Sequence, residues 1–312
     1  MLIEYIKSIF FAKTHNQKWL RLVIAIGIII VIVMYFRDSK WNEKEGFDQK
    51  DNFVMKQGDN IYDDFYSKMY NDIMDCSERA KFEMSTIINA THPSKENSVF
   101  LDIGSGTGNL VEIFRKKGYR IYGIDQSPFM VNTSITNYPK CEIKCGNAEN
   151  TMEFEHNTFT HILCVGFTIY NFKDKSLFFR NCYHWLMANG YLVLHLVDRE
   201  KYDSTIMASK QYDIESVNKY STKRITDSNV DFDTINYKSE YDFTKESVVL
   251  KETFTDTINH KIRQNEQTLF MECREKILGI AKMSGFIIHA QFSMSKYNND
   301  SYQYIYVLEK IM

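Results

Sequence analysis

Residues 98–110, SVFLDIGSGTGNL, restrict the fold more than any other stretch of this chain. Val99, Phe100, Leu101 and Ile103 make a short apolar run that meets glycine at once, the pattern of a buried parallel strand ending in a tight turn. Gly104, Gly106 and Gly108 then alternate with Ser105 and Thr107. Glycine there lets a ligand approach the backbone with no Cβ in the way. From Asn109 the apolar residues Leu110, Ile113 and Phe114 share one helical face, and Gly118 is placed to end that helix. The stretch therefore reads strand, glycine loop, helix. A helix N-terminus behind such a loop attracts anionic or carboxylate-bearing ligands.

The spacing separates this loop from the dinucleotide fingerprint, which is G-x-G-x-x-G. Here it is G-x-G-x-G, preceded by Asp102. A second strand, residues 119–124, ends on Asp125, where an acidic side chain can accept both hydroxyls of a ribose. Asp102, the Gly104/Gly106/Gly108 loop and Asp125 together resemble the class I S-adenosylmethionine (SAM)-dependent methyltransferases. The resemblance covers about residues 60–310. It implies an α/β fold, a Rossmann-like doubly wound seven-stranded sheet with an antiparallel last strand, and SAM as cofactor. Carried onto this sequence, the cofactor residues are Asp102, Gly104, Ser105, Gly106, Gly108, Asp125, Gln126, Asn147, Ala148, Cys164 and Phe167. The family commonly has Asp where Asn147 stands, against the adenine amino group; Asn offers the same acceptor oxygen.

The N-terminus bears on where such an enzyme works. Residues 22–36 (LVIAIGIIIVIVMYF) carry no charge. As a helix they span about 22 Å, against about 30 Å of hydrocarbon. Trp19, Tyr35 and Trp41 stand where interfacial aromatics belong, and Arg21 can snorkel. No small-x-small cleavage site follows. The run is read as an uncleaved transmembrane anchor, behind a flank of residues 1–21 and ahead of a charged linker, 37–59. Lys and Arg flank it almost evenly, so they do not orient it. Scattered cysteines without a C-x-x-C pair, and a need for SAM, place the catalytic domain on the cytosolic side. Cys141 and Cys145 lack a second pair for zinc, and no metal is expected.

The domain runs from 60 to 312. Its first helices bring Tyr62, Tyr66 and Tyr70 onto one face; in the family such a tyrosine often covers the methionine end of SAM, and Tyr62 and Tyr66 are the candidates. Ser127-Pro128 opens a helix as N-cap and first turn. Further strands are expected at 141–145, 161–165 and 191–197, with a helix at 175–186 before the last. Gly190, in a turn where relatives have Pro-Gly-Gly, is expected at positive φ. Residues 199–272 are read as a lid followed by an antiparallel β insertion, since Tyr237, Ser239, Tyr241 and Phe243 alternate with Lys238, Glu240 and Asp242. A helix at 273–284 and a closing hairpin, 286–292 with 302–308, complete the chain.

The sulfonium methyl needs little activation, so the protein mainly aligns an acceptor and excludes water. A base is needed only for a protonated amine or a hydroxyl. His195 and Asp198, at the end of the fifth strand, and Tyr170, past the end of the fourth, are the candidates, with a histidine facing away from the cleft as the competing reading of His195. No Asn-Pro-Pro-Tyr-type sequence follows the fourth strand, which sets the chain apart from the DNA adenine and protein glutamine methyltransferases of the family. A net charge of −2 argues against a nucleic-acid partner held by bulk electrostatics. The expected partner is a small-molecule or lipid-like acceptor, reached by a membrane-tethered methyltransferase. A nicotinamide oxidoreductase and a non-catalytic SAM-fold module are the alternatives. The sequence does not set the oligomeric state.

Overall fold

The computed structural model describes residues 26–27, 49–74, 76–206, 218, 221–245 and 247–311. The transmembrane reading of 22–36 lies, save for Ile26 and Gly27, outside these residues. Among them no helix is long and apolar enough to cross a membrane.

Residues from 49 onward build two sheets. In chain order the elements are β1 (Phe53–Gln57), α1 (Asp64–Met74), α2 (Cys76–Thr91), β2 (Val99–Ile103), α3 (Asn109–Lys116), β3 (Arg120–Asp125), α4 (Pro128–Asn137), β4 (Glu142–Cys145) and β5 (Phe159–Cys164). They continue with α5 (Lys175–Trp185), β6 (Leu186–Val197), β7 (Asp227–Phe232), β8 (Ile235–Phe243), β9 (Val248–Asp256), β10 (Ile262–Leu269), α6 (Arg274–Met283), β11 (Phe286–Ser293), α7 (Ser295–Asn298) and β12 (Gln303–Lys310).

The larger sheet has seven strands in the order β11-β12-β6-β5-β2-β3-β4. Its five strands from β6 to β4 are joined by four parallel pairings, and β12 runs antiparallel to both β6 and β11. The chain winds outward from β2 through β3 to β4, then returns to lay β5 on the other side of β2. That reversal is the switch point over which open α/β sheets hold ligands. Side chains alternate between two cores, as a sheet covered on both faces requires. Leu101, Ile162 and Leu194 pack with Phe178, Phe179 and Trp185 on one face. Phe100, Leu163 and Val193 pack with Met84, Ile87 and Phe114 on the other. Each such side chain, wholly removed from water, contributes about 1.5–3 kcal/mol.

The smaller sheet, β1-β10-β9-β8-β7, is the expected insertion with two additions. β1 comes from residues read as linker and pairs parallel with β10. Its apolar Phe53 and Met55 face solvent, 52% and 45% exposed, so its alternation is inverted and gives no strand signal. β7 comes from residues read as lid, and its one aromatic, Phe232, is too little to mark it. Lid residues 207–217, 219 and 220 lie outside the described residues.

The turn into β6 corrects one expectation. Asn189, not Gly190, has positive φ (60°). Gly190 is glycine for clearance: a Cβ there would sit 2.9 Å from the Met187 carbonyl oxygen and 3.0 Å from that of Thr160.

Candidate active site

A cavity of about 870 Å³ lies between the carboxyl ends of β2 and β3 and the inner face of the smaller sheet. Its floor includes Gly104, Gly106, Asp125 and Gln126; Asn147 and Ala148 follow from the end of β4, and Phe167 from the loop after β5. Tyr62, Tyr66 and Tyr70 line it from the N-terminal segment, and Tyr237, Tyr241 and Glu252 from the smaller sheet.

The loop and Asp125 are joined directly. The Gly106 N–H donates to Asp125 Oδ2 at 2.8 Å, and the Ser127 N–H donates to Oδ1 at 2.9 Å. Burial raises the Asp125 carboxyl above its ordinary range, while those two amides pull it back. Each oxygen keeps a further lone pair for a ligand hydroxyl. Ser127 is the N-cap foreseen for α4: its Oγ accepts from the Met130 N–H at 3.2 Å and donates to the Tyr62 carbonyl at 2.6 Å. One short turn thus fixes the carboxylate, the helix and the first tyrosine. Asn147 Oδ1 already accepts the Glu149 N–H at 2.8 Å, leaving one lone pair toward a base.

Other expected cofactor residues lie elsewhere. Asp102, 3% exposed, lines a separate space of about 30 Å³ behind the loop, shared with Ser105, Arg79 and Glu83. Burial, then the charges of Glu83 and Asp125, push the Asp102 carboxyl well up. Burial also lifts Glu83 to about 7 against the pull of Arg79, whose Nε stands 3.7 Å from Glu83 Oε1. Gly108 does not reach the cavity; it packs beneath Ile143 and Ser134. Cys164 is wholly buried in the core on the α5 face of β5.

The three acid–base candidates do not line the cavity. His195 is 1% exposed, its Nε2 is 3.1 Å from Gln303 Oε1, and its ring lies 4.7 Å from that of Phe167, which does line the cavity. Burial, then Arg79, lowers its pKa to about 3, so it is a neutral packing residue. Tyr170 is wholly buried and its hydroxyl accepts the Val197 N–H at 2.9 Å, tying β6 to the loop after β5. Asp198 accepts from the Glu200 N–H in its own turn. Strand-end position set His195 and Asp198 apart in the sequence, but β6 runs on to Val197 and the His195 ring is packed between Phe167 and Gln303.

Arg79 and Glu252 were not foreseen. The Arg79 guanidinium packs against Gly166, where a Cβ would come within 3.1 Å of Nη2. Glu252 did leave a signal: Val248, Leu250, Glu252 and Phe254 share one face of β9, and a carboxylate in that apolar row demands a polar partner.

A family model described as a methyltransferase domain matches residues 101–194. No curated protein matches the chain. Among solved structures, a SAM-dependent methyltransferase from Clostridium acetobutylicum is 17% identical, with a TM-score of 0.57, over 80% of this chain and 97% of that one. The CcbJ methyltransferase from Streptomyces caelestis is 14% identical, with a TM-score of 0.59, over 80% and 98%. SAM-bound CalS10, an amino pentose methyltransferase from Micromonospora echinaspora, is 16% identical, with a TM-score of 0.55, over 79% and 96%. At these identities the likeness is one of fold. Residues 101–194 thus match a methyltransferase-domain model, and the chain around them shares the fold of SAM-dependent methyltransferases.

Proposed function

We propose that this chain transfers a methyl group from SAM to a small-molecule or lipid-like acceptor held under the smaller sheet. The observation that carries the reading is the Gly106–Asp125 hydrogen bond at the wall of the large cavity. The residues fit the cofactor. Gly106 leaves its Cβ direction open except for Tyr70, and Asp125 keeps acceptor capacity for two ribose hydroxyls. Asn147 and Ala148 would hold the adenine end, and Tyr62 and Tyr66 would cover the methionine end. SAM supplies an activated methyl on a cationic sulfur. The protein's part is to hold an acceptor in line and keep water out, for which proximity is worth about 7–11 kcal/mol.

Asp125→Ala removes the ribose acceptor and frees the Gly106 and Ser127 amides it holds. We expect SAM affinity to fall by about 1.5–3 kcal/mol, roughly 10- to 150-fold, in a calorimetric titration. Equal affinity for the two proteins would refute the site.

The same reading includes tethering through residues 22–36, supported by an uncharged run between Trp19 and Trp41, with the domain facing the cytosol. A lipid-like acceptor then lies within reach of the site. The full chain should resist carbonate extraction from membranes, whereas a chain starting at Gln49 should stay in solution and bind SAM. Release of the full chain into carbonate would remove the anchor and leave the methyltransferase reading intact.

A further inference from the structure

We infer that the acceptor is an amine, recognised as its ammonium by Glu252 within the tyrosine-lined part of the cavity; this rests on the methyltransferase reading above. Glu252 is 2% exposed and stands on β9, facing the same cavity as the glycine loop. Its Oε1 accepts the hydroxyls of Tyr66 and Tyr237 at 2.9 and 2.8 Å, and its Oε2 accepts the Asn265 amide at 3.3 Å. A carboxylate has about four lone-pair sites, so one remains on Oε2.

No cation makes an ion pair with this carboxylate, and only the through-space pull of Arg263 offsets its charge. The nearby Arg263 is committed elsewhere: Nη1 is 2.9 and 2.8 Å from the two carboxylate oxygens of Asp63, and Nε donates to Asn265 Oδ1 at 2.9 Å. Among the described residues no Lys, Arg or His lies within ion-pair distance of Glu252. A buried carboxylate with no counter-ion in contact is costly, and a cationic ligand relieves that cost. The surroundings suit the same ligand. The rings of Tyr66, Tyr70, Tyr237 and Tyr241 line the cavity around it, and aromatic faces attract ammonium groups. A hydroxyl acceptor could donate a hydrogen bond to this carboxylate but would not offset its charge, and an anionic acceptor would be repelled.

The placement also accounts for the proton. The bound ammonium passes one proton to the Glu252 carboxylate, and the freed nitrogen lone pair forms the new N–C bond. The C–S bond breaks with its electron pair going to sulfur, leaving a neutral thioether and a methylated ammonium. Glu252 returns its proton to solvent as product leaves. Burial raises the Glu252 carboxyl, with Tyr237, Tyr66, Asn265 and the more distant charge of Arg263 opposing, which helps it take up that proton.

The test uses the full chain with tritiated SAM and two compound pools. One holds primary and secondary amines, including amino sugars; the other holds the matching alcohols, phenols and carboxylic acids. Label should enter the amine pool. In Glu252→Gln, transfer to the accepted amine and its calorimetric affinity for the S-adenosylhomocysteine-bound protein should both fall by about 10- to 100-fold. Affinity for SAM itself should fall much less than affinity for the amine, since Glu252 reaches the cofactor only through Tyr66. Label in the second pool only, or in neither, overturns the inference, as does a Glu252→Gln protein that keeps full transfer. A matching loss of SAM affinity also overturns it, since Glu252 would then face the sulfonium. The pool comparison needs no variant and stands if Glu252→Gln fails to fold. Absence of SAM binding in the unaltered protein would defeat the methyltransferase reading; SAM binding without amine labelling would defeat this inference alone.

Discussion

Gly106→Val should abolish SAM binding and leave the fold in place. Gly106 has φ +53°, in a region that a β-branched residue avoids, and forcing it there costs on the order of 1–2 kcal/mol. That strain is local. A Cβ on Gly106 meets only Tyr70 Cε1, at 3.6 Å, an ordinary contact. The two valine methyls would instead occupy the cavity where a ligand must lie against the loop, and any shift of this peptide loosens the N–H that holds Asp125. The loss of affinity should exceed about 100-fold, since both a steric block and a charged acceptor are involved. Gly108→Val is the contrast. Its Cβ would lie 2.9 Å from Ile143 Cδ1 and 3.0 Å from Ser134 Cβ, so overpacking of about 1–3 kcal/mol is added to backbone strain. Gly108→Val should lower the melting temperature clearly; Gly106→Val should keep a native circular dichroism spectrum and melt within a few degrees. Retained SAM affinity in Gly106→Val would show that the loop is not the cradle. An unfolded Gly106→Val would make its role structural.

These two glycines show how far the sequence could be read. The strand, loop and helix around them follow from local rules, because each element takes its apolar period and its end signal from adjacent residues. Ser127-Pro128 and Gly118 cap their helices where expected. Which glycine faces the ligand was not legible, since that depends on Ile143 and Tyr70, far along the chain. The same limit explains His195. Its place near the end of a parallel strand marks a catalytic position only if its ring reaches the cleft, and here the ring is buried against Phe167 and Gln303, the latter 108 residues away. Glu252 is the converse. A carboxylate between Leu250 and Phe254 on one strand face was visible, but its meaning needed Tyr66, 186 residues away. β1 was hidden because its pairing with β10 is made by backbone alone, with Phe53 and Met55 turned outward.

His161 and His195 should make the fold lose stability in mild acid. Both are buried, 4% and 1% exposed. His161 stacks on Phe100 at 4.3 Å, with Nδ1 2.8 Å from Thr160 Oγ1 and Nε2 without a partner. His195 has Gln303 on Nε2 and nothing on Nδ1. A second proton on either ring would be a buried donor without an acceptor. Burial accordingly lowers His161 to about 4 and His195 to about 3, against about 6.5 in the unfolded chain. The unfolded state therefore takes up protons first as pH falls below 6.5. Stability present above that value is lost down to the folded values of about 4 and about 3. Each histidine removes about 1.4 kcal/mol per pH unit, so the pair removes about 4 kcal/mol between pH 7 and pH 5. Glu83, Asp102, Asp125 and Glu252 act in the opposite sense, because their carboxyls are raised in the fold and gain protons before the unfolded chain does. The histidine part is isolated by comparing the protein with a His161→Phe, His195→Gln double variant in urea titrations at both pH values. Phenylalanine keeps the stack on Phe100, and the glutamine amide keeps a donor toward Gln303. The variant should gain about 4 kcal/mol on the unaltered protein as pH drops from 7 to 5. A difference between the two proteins that stays constant within about 1 kcal/mol would mean that both rings titrate normally in the folded state.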